Sequence, residues 1–205
     1  MSKYLSRRTV AAALVALPAC WSGVRAQPAA RRRPTPSQTE GPFYPVALPQ
    51  DSDADLLRNG TRQYRRGQPA WVEGVVSDQQ GKPVAGAQVE IWQCDEAGHY
   101  HHPGDGGGAD PDFQGFGRVT VGSDGRYRFR TIRPVAYSGR TPHIHVKVKL
   151  DRRELLTTQL YVEGEPNNER DGLWRSLGEQ RSLVTVPFRA TSDGLQANFP
   201  IVIAA

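Results

Sequence analysis

The sequence predicts an all-β chain: a β-sandwich with an extended N-terminal arm and long loops between strands. Three observations predict it. Eight short runs of alternating or apolar residues follow Ala70, separated by segments rich in Gly, Asp, Asn and Pro. The chain carries 21 glycines and 16 prolines, a load that favours turns over helices. Its 205 residues suit one domain with a full hydrophobic core plus appendages.

Residues 1–26 read as an export signal. Lys3, Arg7 and Arg8 precede the apolar run Val10 to Leu17, and Val24-Arg25-Ala26 offers a cleavage site. Ser6-Arg7-Arg8 resembles a twin-arginine signal, a route for folded and cofactor-loaded proteins, so a periplasmic or secreted location is expected. "LPAC" also resembles a lipoprotein site at Cys20, which Pro18 fits poorly, and cleavage after Ala26 is preferred. The apolar run is too short to span a membrane, and nothing else in the chain could. The signal also carries the excess of positive charge. Of 26 basic residues, four lie in it beside no acid, leaving 22 against 21 acidic. A mature net charge of about +1 makes no electrostatic case for nucleic acid.

Residues 27–68, rich in Pro, Arg, Gln and Asp, read as an extended arm. Residues 69–205 form the sandwich domain. "WVEGVVSD" leads through the turn "QQGKPVAG" to "AQVEIWQCD". "GRVTVGSDGRYRFRTI" makes two strands around Ser123-Asp124-Gly125, and "HIHVKVKL" pairs with "ELLTTQLYV" around Asp151-Arg152-Arg153. "RSLVTVPFRA" and "LQANFPIVI" finish the chain. "HHPGDGGGADPDFQGFG" is a long loop of the kind that carries function. "PNNERDGLWRSLG" has room for a short helix. Once the signal is removed, Cys94 has no partner for a disulfide and reads as a small core residue.

Chemistry concentrates in "YSGRTPHIHVKVKL". A period of two sets His143 and His145 side by side on one strand face, which is either a solvated face or half of a metal site. Tyr100 ends a strand and opens the Gly-rich loop, while Tyr137 lies in the connection leading into the histidines. Two phenols with two imidazoles make an odd zinc set but a sensible ferric one, since phenolate is a hard anionic donor suited to trivalent iron. A bound cation also deprotonates a phenol whose free pKa is about 10.

"IWQCDEAGHY", "TIRPVAYSGRTPHIHVKV" and "LTTQLYV" closely resemble the intradiol ring-cleavage dioxygenases, in particular the protocatechuate 3,4-dioxygenase branch. "TEGPFYP", Thr39 to Pro45, is similar to that family's N-terminal Gly-Pro motif, and the resemblance covers about residues 38 to 163. It implies a non-haem Fe(III) cofactor held by Tyr100, Tyr137, His143 and His145, with Tyr137 the tyrosinate that leaves when substrate binds. It further implies that Arg140 steadies negative charge on the substrate ring and that Gln159 stands beside the site. Gly41 and Pro42 would line the substrate pocket. The implied reaction cleaves a catechol-type ring between its two hydroxylated carbons with O2, giving a muconate-type dicarboxylate. Relatives assemble as oligomers, so a homo-oligomer or a complex with a companion subunit is expected, and the companion could supply the Gly-Pro segment.

A second reading competes. "GVVSDQQGKPVAGAQVEIW" with "DGRYRF" resembles transthyretin-like and carboxypeptidase-regulatory-like sandwich modules, many of which only bind or brace. On that reading the tyrosines and histidines are structural. A zinc hydrolase fails for lack of a placed carboxylate. Of the histidines grouped around Tyr100, His99 and His102 are open to substrate contact or the loop surface, with the surface preferred, and His101 stays undecided between the two.

Overall fold

Most of the alternating runs become strands in the computed structural model, which describes residues 30–204. The export-signal reading of residues 1–26 lies outside the described residues. A small hairpin, β1 (Arg58–Asn59) with β2 (Arg62–Gln63), precedes the sandwich. The strands β3 (Pro69–Asp78), β4 (Gln88–Trp92), β5 (Phe116–Thr120), β6 (Arg126–Ile132), β7 (His143–Leu150) and β8 (Arg153–Val162) follow. After the one-turn helix α1 (Gly172–Ser176) come β9 (Thr185–Val186), β10 (Arg189–Thr191), β11 (Gly194–Asn198) and β12 (Ile201–Ile203). No helix among the described residues is long and apolar enough to cross a membrane.

Two five-stranded sheets make the sandwich. One runs β5-β4-β7-β8-β9; the other centres on β3, with β6 on one flank and β11 then β12 on the other. The inner faces supply the core: Val72, Val76 and Phe129 from one sheet, and Ile91, Ile144, Val146, Val148 and Leu160 from the other. Burying each such side chain stabilises the fold by about 1.5–3 kcal/mol. Gly74 sits where β12 takes over from β11 along β3. A side-chain carbon there would stand 2.1 Å from the Phe199 carbonyl oxygen, so only glycine allows the close approach.

Two details depart from the expected elements. "RSLVTVPFRA" is not one strand: residues up to Leu183 form a 3₁₀ turn, and Pro187, which has no N–H to give a ladder, separates β9 from β10. Pro200 likewise splits "LQANFPIVI" into β11 and β12. The stretch read as an arm also has two characters. Residues 30–50 contain no strand, whereas Leu56, Leu57 and Tyr64 are buried in the core.

Candidate active site

The polar face of β7 is not solvated. Register aligns His145 with Trp92 of β4 and Gln159 of β8, and Lys147 with Glu90 and Thr157. Alternation puts all of these on the outer face of the sheet, while Ile144, Val146 and Val148 enter the core. Yet His143 and His145 are each 1% exposed, and Lys147 5%. What covers them is the arm. Gln38 N–H donates to the Thr157 carbonyl at 2.8 Å, and Glu40 pairs with Lys147. The Lys147 ammonium stands 4.1 Å from the centroid of the Tyr44 ring. The Tyr44 hydroxyl donates to the fully buried Glu90 carboxylate at 2.8 Å and accepts from Lys149 at 2.9 Å. Glu90 is further held by Arg118 at 2.9 Å.

This seating brings Gly41 against His145. Gly41 has φ +74, a region that favours glycine, and a side-chain carbon there would lie 3.2 Å from the His145 ring. Pro42 follows and is exposed. Phe43 stacks on Tyr100 at 4.7 Å and meets Tyr137 edge-on at 5.9 Å.

Four rings close a circuit. Centroid separations are 5.0 Å for Tyr100–Tyr137, 5.5 Å for Tyr137–His143, 4.8 Å for His143–His145 and 6.0 Å for His145–Tyr100. The two imidazole Nε2 atoms face each other at 3.2 Å. His143 Nδ1 bonds the Thr141 carbonyl at 2.7 Å, which assigns the ring proton to Nδ1 and leaves a lone pair on Nε2. His145 is held flat by Trp92, whose ring lies 4.8 Å away and 9° from parallel. The Tyr100 hydroxyl is buried with no hydrogen-bond partner.

The loops are built to present these side chains. Tyr100 N–H donates to Asp105 Oδ2 at 2.8 Å, and Asp95 accepts from the amides of Ala97, His99 and Asp110. Tyr137 and Arg140 are joined by a tight turn through Ser138 (φ 43) and Gly139 (φ 77), with Arg140 N–H bonded to the Tyr137 carbonyl at 2.7 Å. Arg140 Nε donates to Asp171 Oδ2 at 2.7 Å and its Nη2 to Gln159 Oε1 at 2.7 Å. Gln159 in turn accepts from the Tyr161 hydroxyl at 2.9 Å and donates to the Thr39 carbonyl of the arm at 3.2 Å.

Around the site the remaining histidines have local duties. His102 caps a 3₁₀ turn by accepting from Gly104 N–H at 3.0 Å, His99 sits 3.3 Å from Asp105, and His101 is exposed. Cys94 is buried, and burial pushes its thiol up to about 12, so it stays an inert core residue. No group of three or more His, Cys, Asp or Glu among the described residues could hold a metal.

Burial dominates the electrostatics. It lowers His143 from 6.5 to about 4 and takes His145 well below 6.5, with the neighbouring cationic groups adding to the effect. It pushes the Tyr100 phenol well above 10 and raises Tyr137, the latter opposed by Arg140. Without a cation the site is thus two neutral imidazoles and two neutral phenols. A pH dependence follows for the metal-free protein. Below about pH 6.5 the unfolded chain binds protons that the folded chain refuses until about pH 4, so stability falls as pH falls through that window. His143 alone should cost about 2 kcal/mol between pH 7 and pH 5. Urea unfolding of the metal-free protein at the two pH values measures it, and equal midpoints would contradict neutral buried imidazoles.

A sequence profile for the family described as Dioxygenase matches residues 39–204. The chain belongs to the intradiol ring-cleavage dioxygenases. It is 34% identical over 183 residues to catechol 1,2-dioxygenase 1 of Acinetobacter lwoffii, covering 80% of this chain and 58% of that one. It is also 34% identical over 201 residues to the protocatechuate 3,4-dioxygenase beta chain of Burkholderia cepacia, covering 89% of this chain and 86% of that one. The chain therefore spans little more than half of the first relative and most of the second. Among solved structures it superposes, at TM-score 0.68 and 34% identity, on the dioxygenase domain of a carbohydrate-binding fusion protein from Streptomyces sp. SirexAA-E. That match covers 84% of this chain and 99% of that domain.

The fold brings together Tyr100, Tyr137, His143 and His145, the four side chains expected to bind metal, with Arg140, Gln159 and Gly41 beside them. Sequence reading passed over Trp92, Phe43, Tyr161 and Asp171. Trp92 was within reach, because strand alternation puts it on the face opposite Ile91. Asp171 had a signal as well, an Asp ahead of "GLW" being a helix N-cap pattern. Neither signal by itself points to the site.

Proposed function

We propose that this chain is a non-haem Fe(III) dioxygenase that cleaves catechol-type rings between the two hydroxylated carbons with O2, giving muconate-type dicarboxylates. The observation that carries the proposal is the closed circuit of Tyr100, Tyr137, His143 and His145. Their donor set fits the ion. The imidazole Nε2 atoms, 3.2 Å apart, are close enough to offer their lone pairs to one cation. The buried Tyr100 hydroxyl, without a partner, is the kind of orphan a cation would satisfy by binding the oxygen as its proton is released to solvent.

Held by those four residues, a ferric ion would supply Lewis-acid activation of a chelated catechol. The chain's own groups do the rest. Tyr137, half-buried beside Arg140, would be deprotonated by the ion and so could take a proton from a substrate hydroxyl at its phenolate oxygen. Arg140 keeps N–H donors free beyond those given to Asp171 and Gln159 and directs them at negative charge developing on the ring. Gly41 leaves room beside His145, and Phe43 shields Tyr100 from water. The arm that carries Gly41 is this chain's own. The proposal also includes assembly into an oligomer, of like copies or with a companion subunit, and export by the twin-arginine-like signal.

Oxygen uptake by the purified, iron-quantified protein with a panel of substituted catechols tests the function. The expected result is a red-brown protein with one iron per chain that consumes one O2 per ring opened. An iron-loaded, coloured protein inert towards every catechol would reject the activity. A colourless protein would return the chain to the binding-module reading.

A further inference from the structure

The segment "PNNERDG" contributes no ring to the four-membered circuit, yet its side chains reach the site. Asp171 is 3% exposed and its carboxylate takes four hydrogen bonds. Oδ1 accepts from the Leu173 and Trp174 amides at 2.9 and 3.0 Å, capping α1. Oδ2 accepts from Arg140 Nε at 2.7 Å and from the Thr141 amide at 3.0 Å. Thr141 is the residue whose carbonyl fixes the His143 ring. Three residues earlier in this segment, Asn168 accepts from the Thr141 hydroxyl at 2.7 Å and donates to the Val162 carbonyl at 2.8 Å. One carboxylate thus ties a helix start, the guanidinium and the backbone next to a histidine into a single rigid unit.

Resting on the proposed activity, we infer that Asp171 is a positioning residue that aims the Arg140 guanidinium at the substrate ring. Gln159 fixes one terminal nitrogen of Arg140 and Asp171 fixes Nε, so the planar group has two anchors and one orientation. Remove the carboxylate and Arg140 is held at one point, free to swing on its flexible stem. The charge is still present but no longer aimed.

A double-mutant cycle on the iron-loaded protein tests this, using Asp171→Asn, Arg140→Ala and the pair. Asparagine can keep the cap on α1 through its carbonyl oxygen, but the amide nitrogen that replaces Oδ2 is a donor and accepts from neither Arg140 nor Thr141. Serine, also a good cap, serves in its place if the asparagine variant does not fold. Asp171→Asn should lower kcat about 10- to 100-fold with KM within about threefold, since aim and not binding is lost. Catechol binding followed anaerobically by the visible absorption change should be unaltered. The pair should be no slower than Arg140→Ala alone, because Asp171 has nothing left to aim. Losses that multiply in the pair, or a wild-type kcat in Asp171→Asn, would overturn the inference while leaving the proposed activity intact. A wild-type protein that opens no catechol ring would overturn both.

Discussion

Replacing His143 by alanine is expected to strip the protein of iron and of colour. The ring is 1% exposed, its Nδ1 proton is committed to the Thr141 carbonyl, and its free Nε2 lone pair faces His145 at 3.2 Å. Loss of a group that merely supports a metal ligand weakens metal binding about 10- to 100-fold, and loss of the ligand itself should exceed that. Metal analysis after dialysis against a chelator provides the measurement, with wild-type protein retaining one iron per chain and the variant almost none. His145→Ala should behave alike, and it guards against a folding defect peculiar to position 143. Full iron retention in both variants would remove the paired imidazoles from the metal site and with them the proposed chemistry.

Arg140→Ala should leave iron bound and lower kcat about 100- to 1,000-fold, the range found when a preorganised donor to developing negative charge is deleted. Iron should stay because the guanidinium, anchored on Asp171 and Gln159, is not itself one of the four ring donors. Arg140→Lys should recover little. An ammonium on a flexible stem cannot span both anchors as the planar fork does. Steady-state oxygen consumption with saturating catechol measures both variants, and a rate within threefold of wild type would reject the role assigned to Arg140.

Much of this site could be read in order along the chain. "HIHVKVKL" declares its alternation, and a period of two suffices to put both imidazoles on one face, because strand geometry is local. The turn "YSGR" was readable for the same reason. Whether that face met water was not readable. Lys147 and Lys149 look like the solvated end of an amphipathic strand, and only the docking of Glu40 and Tyr44 about a hundred positions earlier turns them into a buried clasp. Pro187 and Pro200, visible in the sequence, cut two expected strands into four because a missing N–H ends a ladder.

By itself, then, the sequence determined the strands, the shared face of His143 and His145, and the residue types able to hold a trivalent ion. Tertiary structure alone decided that residues 38–44 cover that face, that Gly41 abuts His145 and that Asp171 grips Arg140. The reason is physical: alternation and turn chemistry act over a few residues of backbone. Contacts across thirty to a hundred positions depend on which sheet edges meet and which loops they carry together.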